Sequence, residues 1–425
     1  MNRATIESHV TRALAAQPIT DLHTHVYSPR FGASPKPGGL LLWGIDELVT
    51  YHYLVAEVYR VVPASVLPYE RFWAMPRSAQ ADRIWKHLFI ERTPLSEACR
   101  GVLTTIQKLG LEPGEKSLEK YRKWFAAQDP DKFVDKVMEL ANVDSITMTN
   151  PVFDDAEREM WLADPSVGGD PRFAAVLRID PLLRAWPEAA KRLASWGYAV
   201  REDFSGKTID ETRRFLIEWL ERMKAIYVAV SLPPEFQYPD PRGGAGDRVL
   251  RDILLPLLAD RSLPFAMMIG SRLQINPGLQ GGGDMSGKAD ILAVANLCRD
   301  FPGNRFLVTM LARENQHELC VTARKFGNLL VFGCWWFVNN PSLIEEITRM
   351  RIELLGTSFV PQHSDARILD QLLYKWDHTR AVLAKVLTDK YADLAATGWP
   401  LAPSDIERDA RLYLRDNFRR FVGRQ

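Results

Sequence analysis

The sequence predicts an α/β fold: a (β/α)8 (TIM) barrel with a helical cap inserted after its first strand. Eight short strand-like segments, separated by helix-length stretches, lead to this prediction. Most are continuous apolar runs, as expected of parallel strands buried on both faces. The predicted strands are Ile19–His25, Ser145–Thr149, Ala174–Ile179, Tyr227–Leu232, Phe265–Ile269, Phe306–Leu311, Leu329–Gly333 and Phe359–His363.

The interval after the first strand predicts an insertion. Roughly 115 residues separate the first two strands, far more than one βα unit requires. We expect one barrel unit over residues 1–425, with 27–140 a mostly helical insertion covering the site and 404–423 a docked C-terminal helix. The insertion's predicted helices are Asp46–Arg60, Ser78–Ile90, Ser96–Leu109 and Asp131–Asn142.

Capping boxes are predicted at the starts of three further helices. Each pairs a Ser or Thr with a Glu three residues later, a pattern typical of a helix N-terminus. The pairs are Thr208 with Glu211, Ser342 with Glu345 and Ser404 with Glu407.

Composition indicates a globular cytoplasmic protein. The chain has 54 basic and 53 acidic residues and a net charge of +1, so no bulk charge favours nucleic acid or an anionic membrane. The four cysteines are widely spaced, as in a reducing compartment. The first twenty residues lack an apolar signal core, and the longest apolar run, Leu329–Val338, is too short to span a bilayer.

A pair of histidines ends the first predicted strand. In Thr20-Asp21-Leu22-His23-Thr24-His25, the strand period of two places both imidazoles on the same face. Imidazoles suit divalent metal ions, and the C-terminal ends of barrel strands are where such sites occur. We therefore predict that His23 and His25 share one metal ion.

An aspartate follows the eighth predicted strand, which neighbours the first in a closed barrel. Asp365 can therefore meet His23 and His25, as a metal ligand and as a base; the alternative is a helix-capping aspartate. His363, two residues earlier, fits either a site residue or a core histidine.

The order of several segments resembles the uronate isomerase family of the amidohydrolase superfamily. The resemblance implies interconversion of D-glucuronate with D-fructuronate and of D-galacturonate with D-tagaturonate, an aldose–ketose isomerisation. It covers residues 19 to 367 and rests on the His23–His25 pair, Tyr51-His52-Tyr53-Leu54, Leu177-Arg178-Ile179-Asp180, Gly333-Cys334-Trp335-Trp336-Phe337 and Ser364-Asp365-Ala366-Arg367.

The fifth strand departs from many superfamily members, which have a histidine at its end. Here Met267 and Met268 precede Ile269-Gly270, and a thioether is a poor ligand for a hard or borderline cation. We expect a single divalent ion, Zn²⁺, held by His23, His25 and Asp365.

The expected reaction passes through a cis-enediol. Asp365 moves the proton between C2 and C1, Tyr53 exchanges protons with the substrate oxygens, and Arg367 assists beside Asp365. An arginine fork suits the sugar-acid carboxylate, and Arg178 and Arg367 are the first candidates, with Arg313 the third.

Two aromatic features complete the predicted substrate site. His52 is expected to contact substrate, with Leu54, Val55 and Val58 as the buried face of its helix; packing alone is the alternative for His52 and Tyr53. Adjacent strand residues point opposite ways, so only one of Trp335 and Trp336 should face the site, and Trp336 is favoured.

Two alternative functions use the same residues. A metal-dependent hydrolase of a sugar-acid lactone or amide would share the metal ligands, although no lysine stands at the fourth-strand end, Ser231-Leu232-Pro233. A catalytically silent sugar-acid-binding protein is the other. The expected partner is a small hexuronate, with no nucleic acid and no membrane; a homo-oligomer is compatible with the sequence.

Overall fold

A seven-stranded parallel sheet dominates the structure, a computed structural model that describes residues 1–34 and 38–423. The strands are β1 (Ile19–Thr24), β2 (Val143–Pro151), β3 (Phe173–Arg178), β4 (Val228–Leu232), β5 (Phe265–Ile269), β6 (Ser271–Arg272), β7 (Met285–Ser286), β8 (Phe306–Met310) and β9 (Leu329–Val331). The sheet has the order β1-β2-β3-β4-β5-β8-β9, so its strands are neighbours in chain order. Strands β6 and β7 form a small antiparallel pair.

The strands of the large sheet are buried on both faces, which explains their apolar runs. One face packs against the helices in the main core. The other faces the inside of the curled sheet, where side chains from different strands pack together. These inner residues include Leu22, Val176, Tyr227, Ala229, Met268 and Leu307.

The closing segment, residues 359–366, lies between β9 and β1. The predicted strand Phe359–His363 occurs here as a stretch with one bridge, between Val360 and Phe332, and not as a full strand. The segment still joins both neighbours through its backbone. The hydrogen bonds run from Val360 N to Val331 O (3.0 Å), Gly333 N to Val360 O (2.8 Å), Asp365 N to His23 O (3.2 Å) and His25 N to Ala366 O (2.7 Å).

Helices connect the strands and fill the interval between β1 and β2. No helix within the described ranges is both long and apolar enough to cross a membrane. Three π-helical turns, Lys86–Ile90, Val249–Leu254 and Leu412–Asp416, follow α5, α13 and α19 directly. The helices are α1 (Arg3–Ala16), α2 (Ile45–Val49), α3 (His52–Val61), α4 (Tyr69–Trp73), α5 (Arg77–Trp85), α6 (Glu97–Lys108), α7 (Glu119–Ala126), α8 (Pro130–Ala141), α9 (Asp155–Ala163), α10 (Asp180–Arg184), α11 (Trp186–Ser195), α12 (Thr208–Met223), α13 (Ala245–Arg248), α14 (Leu255–Asp260), α15 (Ile291–Asp300), α16 (Gln316–Ala323), α17 (Pro341–Leu355), α18 (Gln371–Ala396), α19 (Pro403–Arg411) and α20 (Asn417–Phe421).

The helix predicted over Asp46–Arg60 is divided into α2 and α3. Thr50 interrupts it: its hydroxyl donates to Asp46 O at 2.6 Å, and the next residue, Tyr51, has an extended backbone. The predicted buried face of the second part is confirmed, because Leu54, Val55 and Val58 are its buried residues. Because of this break, α3 begins at His52, a residue that lines the main polar cavity of the protein.

The helices predicted at Thr208, Ser342 and Ser404 form, but their predicted capping boxes are wrong. Other residues occupy the N-cap positions. Thr208 is the first helical residue of α12, Asn340 accepts from Leu343 N at the start of α17, and Ala402 N donates to Asp405 at the start of α19.

Candidate active site

Two histidines and one aspartate meet where β1 lies beside the closing segment. Nε2 of His23 and Nε2 of His25 each lie 3.5 Å from Oδ1 of Asp365. One ligand atom from each of the three residues lies within 4.8 Å of the other two. The sequence predicted this group although Asp365 lies more than 300 positions after the two histidines, and the structure brings the three residues together.

The surroundings of His23 leave one ring nitrogen free for a cation. The Thr149 hydroxyl donates to Thr24 O at 2.8 Å and therefore accepts from Nδ1–H of His23 at 3.2 Å. Nε2 then carries a lone pair, yet it is buried without a hydrogen-bond partner among the described residues. Such an orphaned nitrogen beside a carboxylate and a second imidazole fits a divalent metal ion.

The protonation states around the site suit the same interpretation. Burial lowers the pKa of His25 to about 4, so this ring is neutral at pH 7. Burial would raise the pKa of Asp365, but the His23 and His25 rings beside it outweigh burial and hold that pKa well below the usual value. Neutral imidazoles and an ionised carboxylate are the forms that bind metal.

Asp365 is held in an unusual backbone conformation. Its φ is +50°, in the left-handed region that non-glycine residues rarely adopt, so its position depends on its surroundings. The buried carboxylate of Asp21 supports the closing segment, because it accepts from Ser364 N at 3.1 Å and from Trp376 Nε1 at 3.0 Å. Asp21 stood within the first-strand motif, but its supporting role depends on contacts that the sequence does not display.

A cavity of about 240 Å³ opens beside the three-residue group. It lies at the C-terminal ends of the parallel strands, where α/β folds commonly bind their ligands. Most predicted site residues line it, along with several that sequence reasoning missed. The lining residues are His23, His25, Tyr51, His52, Arg178, Asp180, Arg184, Ser231, Met268, Ser271, Leu273, Asp284, Trp335, Trp336, Asp365 and Arg367.

Both adjacent tryptophans line this cavity, so the expectation that only one faces the site is wrong. The expectation assumed an extended strand, whereas β9 ends at Val331. Trp336 has φ +47° and begins a 3₁₀ turn, Trp336–Val338, which removes the alternation of side chains. Its indole Nε1 is buried without a partner in the described ranges.

Two predicted residues do not line the cavity. Arg313 is 59% exposed and pairs with Glu346 at 2.9 Å. Tyr53 is absent from the lining, and its ring centroid lies 4.6 Å from that of His52 and 5.0 Å from that of Tyr51. The Tyr53 hydroxyl is nevertheless buried without a partner, as is Nε2 of His52, in the part of the chain that is described.

Arg178 belongs to a bonded network on the far wall. Its Nε and Nη2 donate to Oδ2 of Asp180 at 2.9 and 2.7 Å, and Nη2 also donates to the Ser231 hydroxyl at 3.0 Å. The other oxygen of Asp180 accepts from Ser231 N at 2.9 Å. Asp180 was visible in the Leu177–Asp180 segment, but only the structure shows that it neutralises Arg178.

His363 lies outside the three-residue group and does not line the cavity, and both of its ring nitrogens lack a hydrogen-bond partner among the described residues. It is fully buried, and its ring packs edge-on against His23 at 5.3 Å between centroids. Gly333, at φ +63°, provides the space, because a Cβ there would lie 1.7 Å from Nδ1 of His363. Met268 of β5 lines the cavity.

The fold and the site together define an α/β enzyme with a candidate metal group and a polar cavity at the C-terminal ends of its strands. A uronate isomerase from Bacillus halodurans of known structure shares 50% sequence identity with this chain, covers 100% of it and 98% of its own chain, and has a TM-score of 0.94. The chain therefore belongs to the uronate isomerase family.

Two more distant structures share the fold. A glucuronate isomerase from Caulobacter crescentus has 15% identity and a TM-score of 0.77, and the match covers 99% of this chain and 94% of that one. A uronate isomerase from Thermotoga maritima has 15% identity and a TM-score of 0.68, with 99% and 98% covered. No protein-family model and no curated protein matches the chain.

Proposed function

We propose that this protein is a uronate isomerase, which interconverts D-glucuronate with D-fructuronate and D-galacturonate with D-tagaturonate. The observation that carries the proposal is the 50% identity to a uronate isomerase over the whole chain. The convergence of His23, His25 and Asp365 on a polar cavity agrees with it. The protein acts on a small sugar acid, and we expect it in the cytoplasm.

We also propose that the fold is a complete (β/α)8 barrel. The closing segment would serve as the eighth strand, because it bonds to both β9 and β1. Residues 27–140 would then form the cap over the cavity, to which Tyr51 and His52 contribute, and residues 404–423 the docked C-terminal helix.

A single divalent cation, Zn²⁺ in our proposal, would be held by His23, His25 and Asp365. Two nitrogen ligands and one oxygen ligand, with further positions open, suit this ion. When bound, it supplies a positive charge that polarises the substrate oxygens. Met268 offers no competing ligand of comparable strength.

Asp365 is the proposed base that moves the proton between C2 and C1. Its pKa lies well below the usual value, so it is ionised and able to accept a proton. A carboxylate that also binds a cation is a weaker base, so the two roles compete. In either role the Asp365 carboxylate would act from the lining of the cavity.

Tyr53 is the proposed carrier of protons to and from the substrate oxygens. Its hydroxyl and Nε2 of His52 are both buried without partners in the described chain. His52 lines the cavity, whereas Tyr53 does not, so the proposed role requires the Tyr53 hydroxyl to reach a bound sugar. Burial lowers the pKa of His52 to about 3, so its ring is neutral and can accept a hydrogen bond. Tyr51 is a neighbouring phenol that does line the cavity, so it provides a comparison for Tyr53.

The remaining contacts position the sugar acid. Arg178 and Arg367 line the cavity and are the proposed partners of the substrate oxygens, and Trp336 packs against the C–H face of the sugar. Arg313 takes no part in this scheme because Glu346 already binds it outside the cavity.

The test is NMR of the purified protein with D-glucuronate in D₂O, with and without prior chelation. We expect D-fructuronate signals and deuterium at C2 of the recovered glucuronate. Loss of turnover after chelation, and its return with Zn²⁺, would support a necessary cation. Absence of product from both glucuronate and galacturonate would contradict the proposal, and lactone hydrolysis in a parallel assay would favour the hydrolase.

A further inference from the structure

Arg351 of α17 is a fully buried arginine, and the group that it bonds to is uncharged. It lies on the buried face of the helix with Ile344, Ile347 and Thr348. Its Nη2 donates to Oε1 of Gln316 at 3.0 Å, and it forms no ion pair with an Asp or Glu among residues 1–34 and 38–423. Nε and Nη1 are buried and have no hydrogen-bond partner in those ranges. The guanidinium is therefore buried with most of its donors free.

Three polar side chains near Arg351 carry no negative charge. Gln316 is a neutral amide, held in place because its Nε2 donates to two main-chain carbonyls at 2.7 and 3.1 Å. The buried thiols of Cys320 and Cys334 lie within range of the guanidinium charge, yet burial raises the pKa of both, and that of Cys334 to about 11. Both thiols are therefore protonated and neutral at pH 7.

Arg380 of α18 shows how this chain satisfies an arginine without an ion pair. Its guanidinium donates to four main-chain oxygens at the C-terminal ends of α1 and α8, where carbonyl groups carry partial negative charge. These oxygens belong to Leu14, Gln17, Ala141 and Asn142. Arg351 is more deeply buried than Arg380, but it has no comparable set of oxygens within the described part of the chain.

A guanidinium stays charged in proteins, and burial of a charge without a counter-ion costs more than burial of a neutral polar group. A water molecule could accept the free N–H groups, but it would leave the charge uncompensated. An anion accepts the N–H groups and also neutralises the charge. We propose that Arg351 is the centre of a buried site for a small inorganic anion, chloride, which accepts hydrogen bonds from Nε and Nη1.

The surroundings of Arg351 suit an ion of this size. The site is enclosed, because Arg351, Thr348 and Gln316 are each 1% exposed or less. The Thr348 hydroxyl lies one helical turn earlier on the same face and is also buried without a partner in the described chain, so it supplies a further donor. A polyatomic anion such as sulfate would place some of its oxygens against the apolar Ile344 and Ile347. None of these residues lines the polar cavity, so the site is separate from the candidate active site.

The first test is a crystal structure of the wild-type protein prepared in sodium bromide, with anomalous diffraction measured at the bromine absorption edge. A second data set at long wavelength detects chloride that has not exchanged. We expect an anomalous peak in contact with Nε and Nη1 of Arg351, and none at Arg380, whose donors are already used. Water at Arg351 with no anomalous peak in either data set would overturn the inference, as would an Asp or Glu side chain paired with Arg351.

Thermal unfolding tests the same site in solution and requires no turnover, so its outcome does not depend on the proposed function. The protein is dialysed into sodium methanesulfonate, whose anion is too large for the site, and chloride is then added at constant ionic strength. A ligand that binds only the folded state stabilises it, so chloride at about 100 times its dissociation constant should raise the Tm by about 3 °C.

The matched variants are Arg351→Met and Arg299→Met. Arg351→Met should lose the chloride-dependent rise in Tm, whereas Arg299→Met should keep it, because Arg299 is 62% exposed and pairs with Asp300. A rise of equal size in Arg351→Met would overturn the inference. If Arg351→Met does not fold, the anomalous diffraction of the wild-type protein decides the question.

Discussion

The two walls of the cavity differ in how completely their polar groups are bonded. The metal wall, formed by His23, His25 and Asp365, contains a buried nitrogen with no hydrogen-bond partner among the described residues. On the arginine wall, Arg178 and Asp180 satisfy one another in a compact network. A buried polar group without a hydrogen-bond partner costs free energy unless a ligand binds to it. A network whose groups already bond to one another holds its geometry before the ligand binds. We therefore expect the metal wall to control turnover and the arginine wall to control affinity.

The largest expected effect is on the metal wall, from Asp365→Asn. This change keeps the size of the side chain but removes the charge that accepts the proton, so kcat should fall at least about 1000-fold. Steady-state kinetics with D-glucuronate measure it, and circular dichroism checks the fold. Asp405→Asn, at the start of α19 and outside the cavity lining, is the control and should retain normal turnover. A near-normal kcat in Asp365→Asn would show that Asp365 is not the base and that the metal wall does not control turnover.

Tyr53→Phe should have the next largest effect. The Tyr53 hydroxyl is buried without a partner in the described chain, so its proposed task is at the substrate, and kcat should fall by about 100-fold. Tyr51→Phe removes the neighbouring phenol and should lower kcat by less than about tenfold. The reverse ranking would assign the proton exchange to Tyr51, which lines the cavity directly.

The metal wall could be predicted from the sequence because it depends on backbone regularity. A period of two along β1 aligns His23 with His25, and the segment 359–366, which bonds to β1, brings Asp365 beside them. The sequence did not predict where the backbone departs from regular strand geometry. The positive φ of Asp365 and of Trp336 arises from tertiary constraints, so the assumption that neighbouring tryptophans alternate was wrong.

The arginine wall was less predictable because it depends on side-chain pairing. Arg178 was proposed as a free clamp, yet Asp180, two residues later, folds back onto it at the start of α10. Arg313 was the third candidate, after a predicted strand, but it pairs with Glu346 of α17 and does not line the cavity. Neither partner is specified by spacing or by hydrophobic pattern.

Arg178→Met tests the arginine wall directly. The change removes a guanidinium and leaves the Asp180 carboxylate uncompensated beside the site of the substrate anion, so KM should rise by about 100-fold. kcat should change much less, because the proposed base, Asp365, belongs to the metal wall. Initial rates over a wide range of D-glucuronate concentration measure both. An unchanged KM would show that this wall does not bind the carboxylate.

The smallest effect, and the sharpest test of the arginine wall, comes from adding Asp180→Asn to Arg178→Met. If repulsion by Asp180 causes most of the damage in Arg178→Met, removing that charge should recover about tenfold in KM. The substituted asparagine keeps a carbonyl oxygen that can accept from Ser231 N, so the wall should hold its shape. Asp180→Asn alone should alter KM by less than about fivefold, because it removes the ion pair that holds Arg178 but leaves the guanidinium positively charged. Equal KM values for the double variant and Arg178→Met would show that Arg178 acts through its own contact with substrate and that its neutralisation by Asp180 is incidental.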